Sequence, residues 1–408
     1  MLLRQLLPGR TRPATGQIKS CSQVKDWQMS PVACRCHLSS QEGKRVSRML
    51  FRSRICKLFP VILVACGLLG FYQHLPKTDN LCKLSLVEQP AINKEECLKL
   101  KRVIDSANIS QKLVSGQLIK NIRELQKCPW LENPQIHHQY RSELLQCCNV
   151  SGQMVMSQEN TYLGQVITYE VERKHKVTVN EELLAMLPES SPFPSKPYGT
   201  CAVVGNGGIL LDSCCGSEID KADFVIRCNL APLNYSKDVG LKTNLVTANP
   251  SIIIDRFNTL NKQRRPFAEM MKVYQKSLVL MPPFSYTMNT DASYKVFYAL
   301  QDFNAWQRVI FFRPEYLLNL NTYWKKKGIT AGRLSTGIML VTAALELCDQ
   351  VTLYGFWPFS TDLQGKPVHQ HYYNNQQPGT IHAMPQEFFF YTKMHSQGVL
   401  RLQVGKCA

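Results

Sequence analysis

Three stretches of this sequence combine residue types and spacings that can do chemistry. The first is Cys201-Ala-Val-Val-Gly-Asn-Gly-Gly-Ile-Leu210, a β-rich apolar run ending in a glycine-rich turn. Where a strand of an open α/β sheet gives way to such a turn, backbone amides can approach phosphate or sugar. Asn206 adds a side chain that both donates and accepts, as a nucleotide requires. A dinucleotide turn would need a small residue at position 210, where Leu210 stands. A turn that only packs is the plainer reading. The second stretch, from Leu334 to Cys348, sets Ser335 or Thr336 as N-cap of a run with helical apolar spacing. Two hydroxyls and Gly337 at a helix start form an anion site, although the same residues also serve simple capping. The third holds four of the nine histidines, His369, His371, His382 and His395, together with Phe356-Trp357-Pro358-Phe359. Pro385 suits a first helical turn, which leaves His382 on the loop before it, where a neutral imidazole can act as general base. Any of these histidines can equally be a hydrogen-bonded surface group.

Metal ligation has little to work with. No D-x-D occurs, and the nearest carboxylate pair, Glu170-Val-Glu172, lies in what reads as an exposed strand. A metal-free reaction suits a leaving group that is already good, provided hydrogen-bond donors and a cation receive its charge.

The chain has 408 residues, 44% hydrophobic and 19% charged, enough for one large core or two modest ones and too apolar for a disordered protein. Its net charge of +18 is unevenly placed. Residues 1–57 hold twelve basic and two acidic side chains, so the other 351 residues carry only +8. A nucleic-acid-binding body is therefore not required. After this basic tail, Leu58 to Tyr72 runs fifteen residues without a charge. At ~1.5 Å per residue that is about 22 Å, enough for a thin bilayer with Lys57 snorkelling and Tyr72 at the interface. The positive-inside rule then leaves 1–57 in the cytosol, spans the membrane with 58–73, and puts the remainder in a lumen. Met29 and Met49 are alternative starts. A cleaved signal peptide fits less well, because no clear cleavage site follows.

Eleven of the sixteen cysteines follow the apolar segment, an odd number that leaves at least one free or intermolecular. They lack zinc spacing, so disulfides in an oxidising lumen are expected. Asn108, Asn149 and Asn234 head glycosylation triplets. Residues 74–145 are polar and read as a stem with helix-like stretches near 93–104 and 111–126. The proline-rich 182–199 reads as a linker or strap. From 200 onward, strands are predicted at 201–204, 224–227, 244–247, 277–281, 309–312, 351–354 and 399–404. Helices are predicted near 216–222, 252–262, 292–303, 314–326, 336–348 and 386–395. This alternation predicts an α/β domain over 146–408, with a mostly parallel sheet and helices on both faces.

Together these segments resemble the sialyltransferases, specifically the α-2,8 branch. CAVVGNGGIL, CGSEID, FVIRCNLAP and TANPSI are similar to that family's long motif, and STGIMLVTAALELCDQVTLYG to its short one. His371-Tyr-Tyr and His382-x4-Glu387 are similar to its two late motifs. Cys128-Pro-Trp and Cys147-Cys148 resemble the ganglioside and short-chain subgroup more than the polysialic-acid polymerases. Gln370 and Asn374 stand where the family often has His and Asp. The resemblance implies a Golgi-resident type II membrane protein with a variant GT-A, Rossmann-like fold that uses CMP-sialic acid. The acceptor would be a sialylated glycolipid or glycoprotein glycan. Neither a metal nor nucleic acid would be a partner, and a homodimer is compatible. Asn206 and Asn229 would contact the nucleotide, Ser335, Thr336 and Gly337 would bind donor at the helix start, and Phe356 and Trp357 would line the cytidine pocket. His371 would stabilise the departing phosphate and His382 would take the acceptor proton. Disulfides Cys201–Cys348 and Cys215–Cys407 would follow the family pattern. A catalytically silent sialoglycan-binding homologue would be expected to lack His382 or the glycine turn, and both are present.

Overall fold

Seven short apolar runs pair side by side in one parallel sheet, as their composition requires. The structure is a computed structural model that describes residues 93–107, 115–376 and 381–407. The basic tail, the 58–73 segment and Asn108 lie outside them. The described residues fall within one compact unit, Lys77–Ala408.

A small antiparallel pair, β1 (Val166–Thr168) and β2 (Lys176–Thr178), precedes the main sheet. The sheet comprises β3 (Tyr198–Val204), β4 (Phe224–Arg227), β5 (Leu245–Thr247), β6 (Leu278–Met281), β7 (Arg308–Phe311), β8 (Cys348–Tyr354) and β9 (Arg401–Gln403). Their order is β7-β6-β5-β4-β3-β8-β9, with every pairing parallel. All seven predicted strands are present, shifted by at most a few residues at their ends.

Alternate side chains feed two separate cores. Val203, Ile226, Leu245, Leu280, Ile310 and Leu353 enter one layer. Ala202, Val225, Val246, Val279 and Phe311 enter the other. Burial on both faces explains why these strands read as continuous apolar runs. The longer helices are α1 (Lys94–Ser106), α2 (Ser115–Leu125), α3 (Pro134–Cys147), α4 (Pro250–Phe257), α5 (Arg264–Met271), α6 (Thr287–Asp302), α7 (Pro314–Lys327), α8 (Thr336–Leu347) and α9 (Met384–Ser396). Helices α4, α5 and α6 cover one face, and α7, α8 and α9 the other. Helix α8 is apolar all round and buried from Ile338 to Leu345, as befits a helix sandwiched between layers.

The stretch expected to be a stem does not stand apart from residue 94 onward. Ile104 of α1, Leu118, Ile122 and Leu125 of α2, and Leu144 of α3 belong to the same core as α8 and α9. Trp130 Nε1 donates to Leu400 O at 3.1 Å, and Asn133 N donates to Gly398 O at 2.8 Å. Only one face of each helix is apolar, so average composition reads as polar while the i, i+4, i+7 spacing carries the packing. The strap at 182–199 begins in a short helix, Glu181–Met186, and buries Leu183, Met186, Leu187 and Phe193.

Disulfides join Cys97–Cys128, Cys147–Cys148, Cys201–Cys348 and Cys215–Cys407. Cys214 is also disulfide-bonded, and buried Cys228 is a free thiol. Asn234 is exposed, whereas Asn149 is half-buried with its Oδ1 accepting from Gly152 N at 3.1 Å.

Helix α8 is tied to the segment after α3 by Glu346, whose Oε2 accepts from Val150 N at 3.0 Å. Burial pushes this carboxyl up from 4.5 to about 7, against the opposing pull of the Val150 N–H and Arg141. A raised folded-state pKa favours the protonated fold. The stability from this group is therefore complete below about 4.5 and lost as pH rises through about 7, at most about 3 kcal/mol. Glu346→Gln is expected to flatten the fall in melting temperature between about pH 5 and 8. Parallel pH–melting curves for the two proteins would contradict this.

Candidate active site

Sheet order sets the place of the site. From β3 the chain adds strands outward to β7, then crosses back through α7 and α8 to place β8 on the other side of β3. Ligands of open α/β sheets bind at the carboxyl ends of strands at such a reversal. A cavity of about 490 Å³ opens there. Asn206, Asn229, Ser335, Thr336, Gly337, Phe356, Trp357, His371 and His382 all line it. The nine residues singled out from sequence are thus brought together.

The glycine turn works differently from an amide cradle. Gly205 N donates to Tyr354 O and Gly207 N to Gly355 O, both at 2.8 Å. A Cβ on Gly205 or Gly207 would lie 2.7 or 2.6 Å from Gly355 O. These glycines let the ends of β3 and β8 touch, and their N–H groups serve the fold. No α-helix follows directly, only a 3-10 turn, Gly208–Leu210, with the next helix starting at Gly216. The turn therefore lacks the helix start of a dinucleotide site. Asn206 lines the cavity, and Asn206 O accepts from Tyr372 N at 3.0 Å.

The helix start at the cavity belongs to α8. Ser335 is its N-cap, with Oγ accepting from Ile338 N at 3.3 Å. Ser335 N donates to Glu387 Oε1 at 2.9 Å, and its hydroxyl donates to Glu387 Oε2. Its polar groups are therefore engaged inside the protein, so Ser335 shapes the helix start rather than offering a free hydroxyl. Burial raises the Glu387 carboxyl, with the two Ser335 bonds and the nearby His382 pulling the other way. The first-turn N–H groups of Thr336 and Gly337 have no intrahelical acceptor and can take an anion. Asn229 Oδ1 accepts from Asn249 N at 2.9 Å, and Thr336 Oγ1 donates to Asn249 Oδ1 at 3.4 Å. This chain links the loops after β4 and β5 to the start of α8.

Both histidines have one ring nitrogen fixed. His382 Nδ1 lies 3.0 Å from Arg333 O. A carbonyl only accepts, so Nδ1 carries the proton and Nε2 of the neutral ring is a lone pair. Arg333 is held by Glu170, Nη2 to Oε2 at 3.0 Å, and by Ser285 Oγ at 3.0 Å. His371 Nδ1 lies 2.7 Å from Asn374 Oδ1, an oxygen that also accepts from Gln376 N at 3.2 Å. Nδ1 is again the donor, leaving Nε2 for a ligand. The His371 ring stacks on Tyr373, with centroids 5.1 Å apart and planes within 7°. Phe356 and Trp357 pack edge-on against Tyr391 and Phe388 of α9, forming a rigid aromatic wall.

The carboxylate pair is used structurally. Glu170 is buried against Arg333 and Ser285, and Glu172 Oε2 accepts from Thr287 N at 2.6 Å, capping α6.

Comparison with known proteins decides the family. Residues 155–399 match the model of glycosyltransferase family 29 (sialyltransferase). The chain belongs to that family. Alpha-2,8-sialyltransferase 8F of Mus musculus is 42% identical over 82% of this chain and 84% of that protein. Alpha-2,8-sialyltransferase 8E of Homo sapiens is 44% identical over 78% and 85%. A crystal structure of a mammalian sialyltransferase is 20% identical, covering 78% of this chain and 88% of that one with a TM-score of 0.36. For a sialyltransferase of this family the motif residues were the readable part. Asn249, Arg256 and Tyr373 also line the cavity; Asn249 and Tyr373 fall within the quoted motifs without an assigned role, and Arg256 lies outside them. Asn249 and Asn229 each sit two positions beyond a strand end, a signal that sequence can carry.

Proposed function

We propose that this protein transfers sialic acid from CMP-sialic acid to a terminal sialic acid of a glycolipid or glycoprotein glycan, forming an α-2,8 linkage with inversion. The observation that carries the reading is the convergence of both motif histidines with the α8 start in one cavity. In this mechanism His382 Nε2 takes the acceptor hydroxyl proton as the oxygen attacks the anomeric carbon. The bond from that carbon to the phosphate oxygen breaks, and its electron pair leaves with CMP. The Thr336 and Gly337 N–H groups and a protonated His371 receive the phosphate charge. Asn206 and Asn229 hold the nucleotide, with Phe356 and Trp357 as its wall. The catalytic unit works in the Golgi lumen, anchored through 58–73 as a type II membrane protein; the disulfides are consistent with an oxidising compartment.

The decisive assay incubates the detergent-solubilised full chain with CMP-sialic acid and a panel of sialylated and neutral acceptors. An α-2,8-linked product on the sialylated ones is expected, and no product on any of them overturns the reading. Transfer is further expected to persist in excess EDTA, since Glu170 and Glu172 are engaged elsewhere. Activity abolished by EDTA and restored by Mn2+ would refute the metal-free route. His371→Gln should weaken transfer and flatten the alkaline limb of the pH–rate profile while keeping the acid limb. A phosphate partner must be protonated, whereas a base must be neutral. An unchanged alkaline limb removes the phosphate role.

A further inference from the structure

Among the described residues, one Lys or Arg lines the cavity: Arg256. It sits in the last turn of α4, a helix that starts at Pro250 beside Asn249. Six residues at ~1.5 Å each place it about 9 Å farther along the axis, and its exposure puts it on the solvent side of the lining. The side chain is exposed, its guanidinium 5.5 Å from the Phe257 ring centroid. It makes no ion pair among the described residues. Asp255 beside it is exposed and also lines the cavity. Arg256 also faces Tyr373, whose phenol is raised by burial and pulled back by the Arg256 charge. Tyr373 in turn stacks on His371, so the cation borders the reacting centre without being part of it.

The reaction proposed above brings three anions together: the donor phosphate, the donor carboxylate and the carboxylate of the acceptor's terminal sialic acid. The phosphate has the α8 start and His371. The donor carboxylate is attached to the anomeric carbon and stays at the depth of the bond being broken. The acceptor enters from solvent, to which Arg256 is exposed. We infer that Arg256 binds the acceptor's carboxylate and so selects sialylated over neutral termini; this rests on the proposed α-2,8 reading. A guanidinium matches a carboxylate with two parallel N–H···O bonds, which a lysine ammonium cannot reproduce.

The test uses the full chain in detergent as wild type, Arg256→Gln and Arg256→Lys. Each is assayed with a sialylated oligosaccharide and with the same oligosaccharide whose sialic acid carboxyl is converted to an amide. Arg256→Gln is expected to raise the acceptor KM by about ten- to hundredfold, the scale of a lost charge-assisted contact. Donor KM and CMP affinity by calorimetry should stay unchanged, and Arg256→Lys should recover part of the loss. Wild type should prefer the acid over the amide, and Arg256→Gln should treat them alike. A raised donor KM, an unchanged acceptor KM, or a wild type indifferent to amidation each overturns the assignment. Absence of wild-type transfer to any sialylated acceptor would instead overturn the underlying reading, and this outcome is seen before any variant is made.

Discussion

Replacing His382 with alanine is expected to lower transfer by about 10²-fold or more while the chain still folds, the usual effect of losing a general base. The size of the effect follows from how the ring is held. Its Nδ1–H is engaged by Arg333 O, so the neutral ring has one tautomer and its basic nitrogen is Nε2. When Nε2 takes the acceptor proton, the Nδ1–H bond to the carbonyl remains. Arg333 cannot drift, because Glu170 and Ser285 hold its guanidinium. Folding should survive, since His382 is half-buried on a loop and makes one hydrogen bond. Turnover with saturating acceptor, a thermal melt and CMP affinity should be measured together. Near-wild-type turnover would sink the assignment, and a lost melt would make the alanine variant a folding mutant and shift the test to His382→Gln.

Removing the Cys201–Cys348 bridge by double alanine substitution should have the largest effect on stability. The bridge closes a loop between residues 147 apart in sequence, with the two Cα atoms 5.9 Å apart. Chain entropy alone assigns such a loop about 5 kcal/mol, comparable to the whole stability of many domains. Both cysteines are buried between sheet and helix layers, so the substitutions also remove packing. The bridge joins the two strands whose ends form the cavity: β3 leads into the glycine turn, and β8 into Phe356 and Trp357. A several-fold drop in folded yield and a higher donor KM in whatever folds are therefore expected. Equilibrium denaturation without reductant reads the first directly. A midpoint equal to wild type would show that the sheet pairing alone holds the two loops together.

Much of this architecture is written locally. Phe224-Val-Ile-Arg227 and Leu278-Val-Leu-Met281 declare themselves as strands because a parallel sheet covered on both faces needs apolar side chains on both. Helix α8 declares itself through Ser335 as cap and unbroken apolar spacing behind it. The site residues were legible because each sits at a strand end, a helix start or a loop before a helix, positions that short-range signals mark. Other features were not legible. Helix α5 went unmarked because its Arg264-Arg265 start hides Phe267, Ala268 and Met271, which meet their partners only across the sheet face. Helices α1 to α3 read as stem because their single apolar stripe has value only once α8 and α9 lie beneath it.

The amino-acid sequence by itself determined which segments become strands and helices, which side chains stand at their ends, and hence the nucleotide-type chemistry available to the chain. Tertiary structure alone decided who partners whom. It turned the glycine N–H groups toward Tyr354 and Gly355, engaged Ser335 with Glu387 fifty-two residues away, and set the His382 tautomer through Arg333 O. It also brought Arg256 to the lining of the cavity. The physical reason is range: propensity and periodicity act over a few residues, whereas a buried polar group must be satisfied by whatever the packed layers place within about 3 Å of it.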